Sequence, residues 1–211
     1  MNRRTQADLV REVRAAGVQD ERVLTALESV PRAGFVAVED VDRAYFDEPL
    51  PVPHRQVTTQ PSLSAKMIEA MALTGSERVL EIGTGYGFQT ALLAHLALFV
   101  WSVERWPDLA ETAREHLARH GVGNIQIVVG DGSGGLPERA PYDAVLVSAF
   151  PSVPEPLAGQ VTPGGRLVQP LGPGGREDVV VFERREEGLV PLRSVTGAHF
   201  VRLIGRHAFQ R

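Results

Sequence analysis

Three acids stand at or beside the ends of successive apolar runs: Glu81 within 79–82, Glu104 after 98–103, and Asp131 after 125–129. Just beyond Glu81 come Gly83, Gly85 and Gly87, and residues 88–96 then read as a buried helix. Glycine lacks a Cβ and tolerates positive φ, so such a turn lets backbone approach a ligand, and the free N–H groups of the new helix face the same spot. The chemistry this suits is the holding of a nucleotide-like molecule at the carboxyl end of a parallel strand. Glu104 follows Gly83 by 21 residues, the spacing at which a carboxylate accepts from ribose hydroxyls, and Asp131 with Gly132 is placed to receive an adenine edge. The dinucleotide pattern G-x-G-x-x-G fails, because its sixth position is Phe88 and the third glycine comes one place early. G-x-G-x-G suits S-adenosylmethionine, which has no pyrophosphate to seat. Each acid alone reads equally well as a strand-end or turn residue, since Asp-Gly is a common turn; the ordered set is what points to a site.

A second group of polar side chains, 56–60, gathers amides and hydroxyls just before a helix at 62–73. They either cap that helix or face the glycine turn and line the meeting place of substrate and cofactor. Other constellations are weak. His116 and His120 are four apart on a helix, but no H-E-x-x-H accompanies them, so they read as solvated helix residues. His95 reads as a core or edge histidine, and Ser133 lacks the G-x-S-x-G elbow. Trp101 and Trp106 read as packing a helix on the sheet rather than stacking a base. With no cysteine there is no disulfide, thiolate metal site or cysteine nucleophile, and no metal is expected.

The elements that must carry these groups follow from periodicity. Strand and helix alternate from residue 78: strands 78–83, 98–104, 125–131, 142–149 and 165–170, with helices 87–97, 107–120 and 153–160. Such alternation predicts an α/β fold, a mostly parallel, doubly wound Rossmann-like sheet covered on both faces. Runs at 178–184 and 199–204 predict an antiparallel carboxyl-terminal pair. Upstream, 5–16 and 20–30 are amphipathic helices forming a cap, and 31–61 is an ordered loop whose proline-rich second half is extended. The division is a cap and active-site loop at 1–61 and a main domain at 62–211, packed as one unit. A net charge of −4 advertises no nucleic-acid surface. With no apolar leader or run near the ~20 residues of a membrane span, a soluble, cytoplasmic, monomeric enzyme is expected.

Taken together, several segments resemble the protein-L-isoaspartate (D-aspartate) O-methyltransferases. The landmarks are PRAGFV (31–36), AYFDEPLPV (44–52), RQVTTQP (55–61), VLEIGTGYG (79–87), VERW (103–106), GDGSGGLPERAPYDAVLVSA (130–149), LAGQVTPGGRLVQPLG (157–172) and HFVRLIG (199–205). The resemblance implies methyl transfer from S-adenosylmethionine to the α-carboxylate of isoaspartyl residues in damaged proteins, repair then proceeding through a succinimide. It also implies roles: Glu104 and Arg105 at the ribose, Asp131 and Gly132 at the adenine, and Gly83, Thr84 and Gly85 at the methionyl portion, with Glu81 and Gly87 counted among the cofactor-binding residues. Thr59 would contact the substrate carboxylate as the catalytic residue, with Thr58 and Gln60 expected to bind the substrate. Departures cluster in the acceptor loop, where the family's G-Q-T-I-S-Q-P is Arg55-Gln56-Val57-Thr58-Thr59-Gln60-Pro61, and at Tyr86 and Arg202, the latter standing in the family's F-V-P-L. Three rivals stay open: a methyltransferase of this fold acting on a small molecule or one dedicated peptide, an NAD-dependent oxidoreductase, and a non-catalytic cofactor-binding module.

Overall fold

The computed structural model describes residues 4–150 and 155–210. Its frame is a seven-stranded sheet in the order β5-β4-β3-β6-β7-β8-β9. Strands β3 (Arg78–Ile82), β4 (Phe99–Glu104), β5 (Ile125–Val129), β6 (Tyr142–Val147) and β7 (Val161–Leu171) run parallel, and β8 (Glu177–Arg185) and β9 (Gly188–Ala198) return antiparallel. From β3 the chain first builds outward to β4 and β5, then crosses back to lay β6 on the other side of β3. That reversal opens a crevice beyond the carboxyl ends of β3 and β6, where ligands bind in sheets of this kind.

One sheet face is covered by helices α3 (Pro61–Met71), α4 (Phe88–Leu96) and α5 (Pro107–Arg119). Against them lie α1 (Gln6–Ala15) and α2 (Glu21–Ser29), whose Leu9, Val13, Leu24 and Leu27 join the same buried cluster as Ala65, Leu92 and Val168. Both start at a side-chain cap: Thr5 and Asp8 form a capping box for α1, and the Asp20 carboxylate accepts from the Arg22 N–H at the head of α2. Among the described residues the other face carries no long helix. Leu136, Leu157 and Leu167 close it over Leu80, Val145 and Val147, using 3₁₀ turns at Gly132–Gly134 and Pro137–Arg139 and the short α6 (Glu155–Ala158). The helix read over 153–160 is described only for that last turn, because 151–154 lie outside the described residues.

The sheet departs from expectation at its antiparallel end. The last strand is β9, and 199–204 forms no strand: Arg202 makes an isolated bridge with Phe150 beyond the end of β6, and Phe200 N–H donates to Glu177 in β8. Pro191 and Gly197 hide the β9 pattern, but β9 is the edge strand, where one side of the ladder needs no N–H donor. The proline-rich loop is also more structured than its composition suggests. It contains 3₁₀ turns at Arg32–Phe35 and Val38–Arg43 and a small hairpin of β1 (Pro51–Val52) and β2 (Gln56–Val57). His95 is exposed. His116 and His120 are half-buried rather than fully solvated: both pack against the buried Phe35, His120 at 4.7 Å between ring centroids.

Candidate active site

An open cleft of about 1030 Å³, counting the solvent at its mouth, lies at the crevice, and three chain segments meet in it. The first is the glycine turn. Gly83, Gly85 and Gly87 all have positive φ (99°, 56° and 90°), which an L-residue with a side chain resists. The turn is tied from below: Gly83 N–H donates to Val103 O and Gly85 N–H to Glu104 Oε2, each at 2.9 Å. Glu104 also accepts from Trp106 N–H at 3.0 Å, so one carboxylate joins the turn to the head of α5. A Cβ on Gly85 would enter open space, whereas one on Gly132 would strike Ile82 at 2.7 Å; the 131–135 loop therefore approaches β3 only because residue 132 is glycine.

Glu81 lies behind the turn and does not line the cleft. It is fully buried and accepts from Gln89 Nε2 (2.9 Å), Thr90 Oγ1 (2.5 Å) and Ser102 Oγ (2.7 Å), which locks α4 against β3 and β4. Burial pushes its pKa up to about 7 even though the three donors pull the other way. Gln89, pinned at Glu81 and Ser148, lines the cleft and leaves its Oε1 buried without a partner among the described residues.

The second segment is the carboxyl-terminal stretch 201–204, which lines the cleft opposite the turn. Arg105 and Asp131 place it. Arg105 Nη1 donates to Ile204 O at 2.9 Å, and the Asp131 carboxylate accepts from Arg206 N–H at 2.7 Å and from the Ser133 N–H and hydroxyl. Partial burial works to raise the Asp131 pKa, but those donors, with Arg105 nearby, hold it below the usual carboxylate range. Gly132 faces the cleft; Asp131 is turned toward this wall, and Gly87 serves as the N-cap residue of α4 outside the lining.

The third is the acceptor loop. Thr58 and Thr59 both line the cleft. The Thr58 hydroxyl accepts from Leu50 N–H (2.9 Å) and from Arg32 Nη2 (3.3 Å), so it braces the loop. The Thr59 hydroxyl makes no hydrogen bond among the described residues. Gln60 points away, its Nε2 donating to Asp47, whose other oxygen caps α3 by accepting from Ser62 N–H. Arg32 and Asp47 are functional supports that sequence reasoning did not single out, although both fall in segments that carry the family resemblance. Arg32 is 1% exposed and donates to the carbonyls of Ala44, Phe46 and Glu48, with burial bringing its pKa down to about 10. Trp106 is a cleft residue rather than a packing residue between helix and sheet. No group of three or more His, Asp or Glu side chains is arranged to hold a metal among the described residues.

The residues present fit S-adenosylmethionine. An acid at the end of β4 is held beside a glycine turn whose Gly85 opens onto the cleft, and Gln89 offers an unsatisfied acceptor. A mostly parallel sheet with this crevice and this glycine turn defines the class, a Rossmann-like methyltransferase. The sequence model of "Protein-L-isoaspartate(D-aspartate) O-methyltransferase" matches residues 3–208. A protein-L-isoaspartate O-methyltransferase of Methanoculleus marisnigri is 48% identical over 99% of this chain and 95% of its own. One of Anaeromyxobacter dehalogenans is 47% identical over 89% and 91%. A solved protein-L-isoaspartate O-methyltransferase superimposes with a TM-score of 0.86 at 29% identity, covering 97% of this chain and 67% of that one. A Plasmodium falciparum structure solved in complex with S-adenosyl-L-homocysteine matches at 20% identity with a TM-score of 0.80, which speaks for the fold. This chain belongs to the protein-L-isoaspartate (D-aspartate) O-methyltransferase family.

Proposed function

We propose that this protein methylates the α-carboxylate of L-isoaspartyl residues, and of D-aspartyl residues, in damaged proteins, working in the cytoplasm as a monomer. The observation that carries the reading is the Thr59 hydroxyl, which has no partner among the described residues and lines the same cleft as Gly83 and Gly85. When bound, S-adenosylmethionine supplies a methyl group on an electrophilic sulfonium. Glu104 and Arg105 would hold the ribose end, Gly132 the adenine end, and Gly83, Thr84 and Gly85 the methionyl portion, while Asp131 supports the wall beside them. The acceptor carboxylate is already ionised at neutral pH, so no general base is required. Thr59 would donate a hydrogen bond to one carboxylate oxygen and leave the other free to face the methyl group that bound S-adenosylmethionine would supply. Apolar walls from Val52, Phe88, Trp106, Leu109 and Leu203 thin the water around the reacting atoms. Esterification gives the acyl carbon a methoxide leaving group, so the neighbouring backbone nitrogen attacks it, expels methanol and closes a succinimide that water opens in part to normal aspartate.

The test is transfer of labelled methyl to an isoaspartyl peptide beside its aspartyl twin. Base-labile label on the isoaspartyl peptide alone is the expected result. Cofactor binding with neither peptide labelled would send the search to another acceptor.

A further inference from the structure

The hairpin that leads into Thr58 and Thr59 is joined to the far wall of the cleft by a contact outside the cofactor and acceptor residues named above. His54, at the hairpin tip, stacks on Trp106 with ring centroids 3.8 Å apart and planes 5° from parallel. Its Nε2 sits 2.9 Å from both carboxylate oxygens of Asp108 in the first turn of α5. That contact holds Asp108 below the ordinary carboxylate range. The hairpin lines the cleft with Val52, Gln56 and Val57, and the head of α5 with Trp106 and Leu109, so the His54 contact spans its mouth.

The backbone at this tip is costly. Gln56 N–H donates to Pro53 O, and the two residues between, His54 and Arg55, both have positive φ, 62° and 58°. This is the type I′ pattern, which Asn-Gly adopts readily and side chains such as histidine and arginine resist. A turn kept strained where a relaxed sequence is available is over-determined by something else, and here the contact that does so is the stack and hydrogen bond across the cleft.

We propose that His54 and Asp108 are positioning residues that clasp the acceptor hairpin over the cleft, setting the place of Thr59 for the incoming peptide. This rests on the acceptor reading given above. The clasp lies beyond the glycine turn, so it acts on acceptor binding and leaves the cofactor alone.

The experiment uses the full chain and two variants, the double variant His54→Asn with Arg55→Gly, which relaxes the turn while removing the clasp, and Asp108→Ala. For the double variant the expected result is a melting temperature equal to or above the parent's, unchanged affinity for S-adenosylmethionine, unchanged kcat, and a KM for the isoaspartyl peptide raised about three- to tenfold, the scale of one aromatic stack plus an exposed hydrogen bond. A purely structural turn would leave KM where it was, and that result overturns the proposal, as does an equal loss of cofactor affinity. Hydrogen exchange at the Gln56 and Thr58 amides provides a readout that needs no turnover: Asp108→Ala speeds it about threefold or more, and unchanged exchange overturns the clasp. If the parent fails to methylate the peptide while Asp108→Ala loosens these amides, the acceptor reading falls and the clasp stands.

Discussion

Arg32 Nη2 lies 3.3 Å from the Thr58 hydroxyl, across 26 residues of chain. The same guanidinium donates to three carbonyls of the 44–48 segment, so a single buried cation gathers the loop that ends at Thr59. Replacing Arg32 by Lys keeps a charge but gives up the planar fork, leaving at least one buried acceptor unpaired. We expect a loss of about 2–4 kcal/mol in stability, from orphaned acceptors around a buried cation. Denaturant melts check the stability. The fall in kcat/KM for peptide should exceed any change in cofactor affinity.

Thr59 should be separable from its neighbour by chemistry. Thr59→Ser keeps the hydroxyl and retains activity, while Thr59→Ala lowers kcat/KM by roughly ten- to a hundredfold, the worth of a hydrogen bond to a charged group. Thr58→Val should instead act through stability, since its hydroxyl faces Leu50 and Arg32. Equal kinetic effects of Thr59→Ala and Thr58→Val, with no change in melting temperature, would reverse these roles.

Glu104→Gln tests the cofactor end. Oε2 accepts from Gly85 and Oε1 from Trp106, and an amide nitrogen at either position meets a donor. Calorimetry should show S-adenosylmethionine binding weakened about ten- to a hundredfold, with the fold intact by circular dichroism.

Glu81 makes stability depend on pH. Its carboxyl is raised from the ordinary 4.5 to about 7, so the folded state holds a proton that the unfolded chain releases earlier. The contribution is fully present below about pH 4.5 and is lost as pH rises to about 7, amounting to about 3 kcal/mol. Glu81→Gln removes this dependence. The melting temperature of the variant relative to the parent should therefore climb between pH 5 and pH 8; a flat difference would show that Glu81 ionises normally.

Gln169 in β7 is fully buried, and neither its amide nitrogen nor its oxygen has a partner among the described residues. Gln169→Leu keeps the volume and removes two unmet polar atoms, so it should stabilise by about 1–2 kcal/mol and raise the melting temperature by a few degrees. Calorimetric melting checks this directly.

Much of this architecture is written locally. The apolar runs before Glu104 and Asp131, the glycines at 83, 85 and 87, and the caps at Thr5 and Asp20 each specify their own element, because turn and cap chemistry acts within a few residues. That is why the order of strands, the glycine turn and the segments carrying the family resemblance are legible in the chain alone. Strand β9 was not, since an edge strand tolerates Pro191 and its pairing with β8 settles a register that local propensity disfavours. The division of labour within the site was also out of reach. Glu81 and Glu104 look alike in sequence, yet one ends behind the turn and the other beside the cleft, because side chains on neighbouring strands are aimed by the pleat and the sheet register. Likewise Thr58 and Thr59 are adjacent and chemically identical. Only long-range contacts, from Arg32 and Leu50, take up one hydroxyl and leave the other to the cleft.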